Sequence, residues 1–186
     1  MTRSSYHHGD LRRALFDALA AAVLEVGPAA ISLRDLARRA GVSHAAPAHH
    51  FGDKRGLLTA FAVEGYGLLD RALSEASADF TELGIAYIRF ALEHQAHFEV
   101  MFRPELLRRD DPELLEASRR SSSHLRAGAA NVDSATASDD ADAATIAAWS
   151  LVHGFATLWL GGNIPPEYGP PERLARRVAR VLETSG

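Results

Sequence analysis

Cysteine is absent from the chain, which excludes a disulfide framework and any thiolate metal site. No apolar run reaches the roughly 18 residues that a membrane-crossing helix needs. Residues 1–13 carry no apolar centre of the signal-peptide kind. From these absences we expect a cytoplasmic protein with no membrane partner. Catalytic signatures are missing too: there is no G-x-S-x-G, no H-E-x-x-H, no P-loop and no Cys nucleophile. We therefore expect no enzyme and no cofactor. Lysine occurs once, at Lys54, in a chain with nineteen arginines. β-Branched residues are few beside Ala and Leu in a sequence that is 47% hydrophobic, which favours an all-helical fold.

A chain of 186 residues has room for one sizeable domain, or for a small and a medium one. Its net charge of −4 runs against nucleic-acid binding, but the charge is unevenly placed. Residues 1–62 hold eight Lys/Arg against five Asp/Glu, a balance of +3, whereas the rest hold twelve against nineteen, a balance of −7. Five of the nine histidines (His7, His8, His44, His49 and His50) also lie in the first part. A basic excess confined to one end is the electrostatic footprint of a DNA-reading segment. Its modest size calls for two copies to reach high affinity.

That segment contains the motif that decides the reading. From Ser32 to Leu58 two short helices are broken at Ala40-Gly41-Val42, and a tight turn leads into a third. Leu33, Leu36, Ala37 and Ala40 fall at i, i+3, i+4 and i+7, one apolar helix face. Ser32 stands as N-cap before them, with Asp35 three residues on as a short capping-box acid. Gly41 takes the left-handed position that ends the helix. Ser43 is expected to cap the next helix, with Pro47 in its first turn, and Asp53 to cap the third, which carries Leu57, Leu58 and Phe61. This is a helix-turn-helix, whose second helix lies in the major groove. His44, Ala45, Ala48 and His49 face outward there, small or uncharged enough for close approach to base edges. The preceding helix, from about Asp10 to Val26, places Leu11, Leu15, Leu19, Ala22 and Val26 on one face and closes the small core through Phe16 and Leu19; Gly27-Pro28 stops it. Arg3, His7 and His8 form either a disordered terminus or an arm for the minor groove.

Beyond Ala62 the pattern stays helical. Val63 to Ala78 continues the connecting helix, and Thr81 to about Phe102 reads as one strongly apolar helix ended by Arg103-Pro104. A short helix covers Pro112 to Arg126, and Gly128 to Asp142 is a small, acidic loop. Asp142 to Leu160 is a long helix, and the last runs from about Pro171 to Leu182 with Arg173, Arg176, Arg177 and Arg180 opposite its apolar face. Candidate pocket residues are Tyr87, Phe90, His94, Phe98, Met101, Phe102, Trp149, His153 and Phe155, which suit a small hydrophobic or aromatic ligand; taken singly, each is more simply read as core. His94, His97 and His153 raise a metal site, but no carboxylate is fixed beside them, so we expect none.

The stretch from Leu11 to Phe61 resembles the N-terminal domain of the TetR family of bacterial repressors. The resemblance rests on Glu25-Val26-Gly27, Ile31-Ser32-Leu33, Leu36-Ala37, Ala40-Gly41-Val42-Ser43, His50-Phe51, and Lys54 with Leu57-Leu58. It implies a three-helix DNA-binding head, residues 1–62, on a helical ligand-binding and dimerisation body, residues 63–186, with about nine helices in all. It also implies phosphate contacts from Ser32, Arg34, Ser43, His50 and Lys54, and base contacts from His44, Ala45, Ala48 and His49. The family usually carries Tyr at the position of Ala48, so one contact to the DNA backbone or to a base is missing. In the body, Trp149-Ser-Leu-Val-His153-Gly154 and Met101-Phe102-Arg103-Pro104 resemble one W-x-x-x-H-G subclass. The resemblance implies a pocket in the body and a homodimer through helices at about 142–162 and 171–183, paired as a four-helix bundle. The expected function is a repressor that binds a palindromic double-stranded DNA operator and is released by an unknown small-molecule effector. The alternatives are a helical interaction module with weakened DNA binding and, furthest off, a His-dependent enzyme.

Overall fold

The computed structural model describes residues 4–77, 79–130 and 141–183. Among the described residues there are nine α-helices and no strand, as expected for an all-helical chain. They are α1 (Ser4–Val26), α2 (Leu33–Arg39), α3 (Ala46–Phe51), α4 (Lys54–Glu75), α5 (Phe80–Glu93), α6 (Gln95–Met101), α7 (Pro112–Ala130), α8 (Ala141–Leu160) and α9 (Pro171–Glu183). The chain divides into two compact units: residues up to Gly65 with Ala96–Leu115, and Tyr66–Gln95 with the chain from Glu116 onward.

In the first unit α1 supplies Leu15, Phe16, Leu19, Ala22 and Val23 to a core shared with Leu36, Ala37, Leu57, Leu58 and Phe61, all buried. Phe16 meets Phe61 edge-on at 5.3 Å and stacks on Phe51 at 5.8 Å. Phe61 in turn stacks on His97 of α6 at 3.9 Å. Gly65 makes room for α6: a Cβ there would stand 2.6 Å from Met101 Sδ. The expected face of α1 needs correction at its ends. The helix begins at Ser4, not Asp10, so His7 and His8 fall on helical backbone rather than on an arm; Arg3 lies outside the described residues. Val26 is 51% exposed and Leu11 half-buried, and Phe16 and Val23 take their places in the core.

In the second unit α5 is the central element and packs on both α8 and α9. Leu83, Ile85, Tyr87, Ile88, Phe90 and Ala91 of α5 are buried together with Val152, Phe155 and Ala156 of α8 and Leu174 and Ala175 of α9. Gly128 lets α7 pass close to Leu83. Here the expected single helix from Thr81 to Phe102 is overturned. The chain leaves helical geometry at His94 (φ −120°, ψ 43°), whose amide still donates to the Phe90 carbonyl at 2.8 Å. The break separates α5, which belongs to the second unit, from α6, which belongs to the first. α4 stops at Glu75, short of Ala78, and α7 runs to Ala130, beyond Arg126. Of the expected acidic loop, Gly128–Ala130 is helical and residues 131–140 lie outside the described residues.

Candidate nucleic-acid interface and the polar network of the second unit

The local chemistry of the helix-turn-helix sets its exposed face. Ser32 Oγ accepts the Asp35 amide at 3.2 Å, the expected N-cap. Asp35 does not complete a capping box. Its carboxylate accepts instead from Arg38 Nη2 and Arg39 Nε, each at 2.6 Å, because both guanidiniums lie within one turn of it. Arg39 Nη1 also donates to Glu25 at 2.6 Å, tying α2 to α1. The hydrogen bond from Arg39 comes first among the causes that hold both carboxyls below the usual range. Arg38 and Arg39 are thus committed to acids, whereas Arg34 is exposed with no partner among the described residues.

Gly41 (φ +66°) makes the turn, as its position demands. Ser43 does not cap α3 with its side chain. The helix starts later, at Ala46, and Ser43 contributes only its backbone carbonyl, which accepts the Ala46 amide at 3.0 Å. Its hydroxyl therefore stays exposed beside His44 and Ala45. On α3 Pro47 is buried and Ala48, His49 and His50 are exposed. The His50 ring sits edge-on to Phe51 at 4.6 Å. Asp53 caps α4 by accepting the Gly56 amide at 2.8 Å, and this bond leads the causes that lower its carboxyl pKa. Lys54 is half-buried, and burial lowers its pKa; Nζ donates one hydrogen bond to the Ala29 carbonyl at 2.6 Å, leaving two donors. Ser32, Arg34, Ser43, His44, Ala45, Ala48, His49 and His50 are all exposed in one short stretch, with Lys54 at its end.

Sequence reasoning missed a second segment at this unit's turn, residues 105–108. Arg108 Nη2 meets Asp53 at 3.0 Å, the Arg108 amide donates to Thr59 Oγ1 at 2.9 Å, and Arg55 Nη2 donates to the Glu105 carbonyl at 3.0 Å. These partners are about fifty residues apart, and no local pattern announces them.

The nine pocket candidates are divided between the two units. Phe98, Met101 and Phe102 belong to the first unit, where Phe98 and Phe102 meet at 5.4 Å. The others belong to the second. There Tyr87, Trp149 and His153 form a network: Tyr87 Oη lies 2.9 Å from His153 Nδ1 and accepts from Trp149 Nε1 at 3.3 Å. Burial raises the Tyr87 pKa and lowers that of His153. Phe155 lines a cavity of about 20 Å³ between α5, α8 and α9, with Ile85, Ile88 and Val152. That is space for about one water. Phe90 and His94 line an open groove of about 620 Å³ along α4 and α5, together with Glu75, Glu82, Arg89 and Glu93. No group of three or more His, Asp and Glu that could hold a metal occurs among the described residues.

An all-helical chain with a capped helix-turn-helix, a buried three-helix core beneath it and an exposed face of Ser, His and Arg is a DNA-binding regulator by class. Residues 15–61 match the family of bacterial regulatory proteins of the tetR type, and residues 80–182 match the tetracyclin repressor-like C-terminal domain. The chain belongs to the TetR family and is a transcriptional regulator. A protein of unknown function from Rhodococcus sp. RHA1 is 32% identical, with 98% of each chain covered and a TM-score of 0.73. Two further solved structures share the fold at lower identity. A TetR-family regulatory protein from Rhodococcus RHA1 is 20% identical over 94% of this chain and 95% of that one, with TM-score 0.73. The TetR family transcriptional regulator PfmR from Thermus thermophilus is 23% identical over 92% and 97%, with TM-score 0.68. No curated protein matches the chain. Among the described residues no helix is long and apolar enough to cross a membrane.

Proposed function

We propose that the protein is a cytoplasmic, ligand-responsive repressor. Residues 1–62 read a palindromic operator; residues 63–186 dimerise and bind a small hydrophobic effector. The observation that carries this reading is the exposed stretch from Ser32 to Lys54, capped by Ser32 and Asp53 and held from behind by a fully buried core. In it Ser32, Arg34, Ser43, His50 and Lys54 contact phosphates, and His44, Ala45, Ala48 and His49 face bases. The homodimer forms through α8 and α9; the exposed Ile146 and Leu158 on α8 supply apolar surface for it. The effector enters among α5, α8 and α9, where the 20 Å³ cavity must widen to admit it.

The test is salt-dependent binding to a palindromic fragment from the gene's own promoter region, with and without small aromatic compounds. Lys54→Ala is expected to weaken binding to all sequences and to reduce the salt slope by about one unit for each phosphate that Lys54 neutralises. Changing His44 or His49 is expected to alter sequence preference instead. A uniform loss across operators would remove the base-reading role. Salt-independent or absent binding would favour a helical interaction module, the reading that Ala48 keeps open. Turnover by the purified protein would overturn the regulatory reading.

A further inference from the structure

The turn that follows the recognition helix is gripped from outside the helix-turn-helix. Gly52 ends α3 at φ +81°, and the next residue, Asp53, stands at the start of α4. The Arg108 guanidinium lies over this turn: a Cβ on Gly52 would stand 3.3 Å from Arg108 Nη2, and one on Gly56 would stand 3.0 Å from Nη2 and 3.1 Å from Cζ. The same Cβ on Gly56 would collide with the Phe51 carbonyl oxygen, so the turn is closed on one side by α3 and on the other by Arg108. Nη2 pairs with Asp53 at 3.0 Å, the acid that caps α4.

Arg108 is itself held in place. Its amide donates to the buried Thr59 hydroxyl, which donates in turn to the Arg55 carbonyl at 2.7 Å. One residue earlier Leu107 is buried, and the Glu105 carbonyl accepts from Arg55. A flexible cation on the surface would need none of this anchoring. A cation required at one fixed place does.

We propose that Arg108 is a positioning residue for DNA reading, fixing the turn Gly52–Gly56 and through it the angle at which α3 and Lys54 are presented. The proposal rests on the DNA-reading function. Arg108 touches no base; it orients the groups that do. The pair it forms with Asp53 is largely exposed, so its effect on overall stability is small. Its effect on specific binding is larger, because base contacts fail when a recognition helix is displaced while phosphate attraction persists.

The experiment uses the full chain and two duplexes: one enriched by the wild-type protein from a random-sequence pool, and a scrambled one of equal length. Arg108→Ala is expected to weaken binding to the enriched duplex by about fivefold for each head, the upper range for an exposed pair, and to leave the scrambled duplex unchanged. Melting temperature and salt slope stay at wild-type values, and amide exchange quickens at Gly52 and Gly56 while the amides of α1 stay protected. Arg108→Lys restores part of the affinity, since an ammonium pairs with Asp53 but cannot lie flat over the two glycines. Unchanged affinity for the enriched duplex overturns the proposal. So does an equal loss on both duplexes with a flatter salt slope, which would make Arg108 a phosphate contact. A loss that follows a fall in melting temperature would make the role purely structural. Should the wild-type protein enrich no duplex, the DNA-reading function itself fails, and the proposal with it.

Discussion

The two units hold their polar groups in different ways. On the helix-turn-helix face of the first, the helix caps are local: Ser32 to Asp35, Asp35 to Arg38 and Arg39, and Asp53 to Gly56 span three or four residues each, with the remote pair of Arg108 and Asp53 laid over the last of them. In the second unit the polar contacts that join helices are remote. Tyr87 meets His153, Arg89 meets Glu172, His124 meets Asp70, and Arg176 meets Glu82 through both terminal nitrogens, across separations of 54 to 94 residues. A local bond survives change elsewhere, because both partners sit on one turn. A remote bond exists only while two elements keep their packing, so the inter-helix pairs of the second unit, and the Arg108–Asp53 pair of the first, are the contacts that register a shift of helices. Such a division suits the proposed repressor, whose helix-turn-helix caps would stay fixed while its inter-helix contacts respond to an effector.

The sharpest way to break this comparison is to empty the core under the reading face. Phe61 is fully buried between Phe16 and His97. Phe61→Ala should cost the first unit about 3–5 kcal/mol, measured by urea unfolding. The expected companion result is loss of specific DNA binding while the local caps reform in whatever helix remains. Next in size is Tyr87→Phe, which strips one hydroxyl from the remote network and leaves Trp149 Nε1 and His153 Nδ1 without it. The expected loss is about 1–3 kcal/mol, seen in amide exchange of α5 and α8 and not in that of α2. Ser32→Ala removes a purely local cap and should cost about 1 kcal/mol. If its loss of protection spreads beyond α2, the contrast between local and remote bonding is wrong.

The same contrast explains what could be read in advance. The helix-turn-helix was legible because caps, Gly41 and the Leu33–Leu36–Ala37 stripe are short-range signals that need no partner elsewhere. Two details there escaped: Asp35 had two arginines closer than the helix end, and Ser43 fell three residues before the true start of α3. The break at His94 carried no glycine or proline to announce it. It marks the passage from α5 in the second unit to α6 in the first, a boundary that no short-range signal announces. Of the aromatic-rich stretch, Phe90 belongs to the second unit and Phe98, Met101 and Phe102 to the first. Arg108 was invisible because its partners, Asp53 and Thr59, are about fifty residues away.

The smallest expected effect concerns protonation in the remote network. In the arrangement that uses every group, the Trp149 indole donates to the Tyr87 oxygen and the Tyr87 hydroxyl donates to His153 Nδ1. That order requires Nδ1 to be unprotonated, and burial independently disfavours the imidazolium, so the folded pKa of His153 lies below its unfolded value. The sign follows directly. Above about pH 6.5 the ring is neutral in both states and the network keeps its full contribution. As the pH falls below that value the unfolded chain takes up the proton first, and stability is lost progressively until the folded ring protonates as well. The melting temperature of the wild-type protein should therefore drop more than that of His153→Gln, whose side chain carries no titrating proton, as the pH falls below about 6.5. Equal pH dependence in the two proteins would show that the network tolerates the charge. The pH dependence of the second unit would then lie elsewhere than in His153.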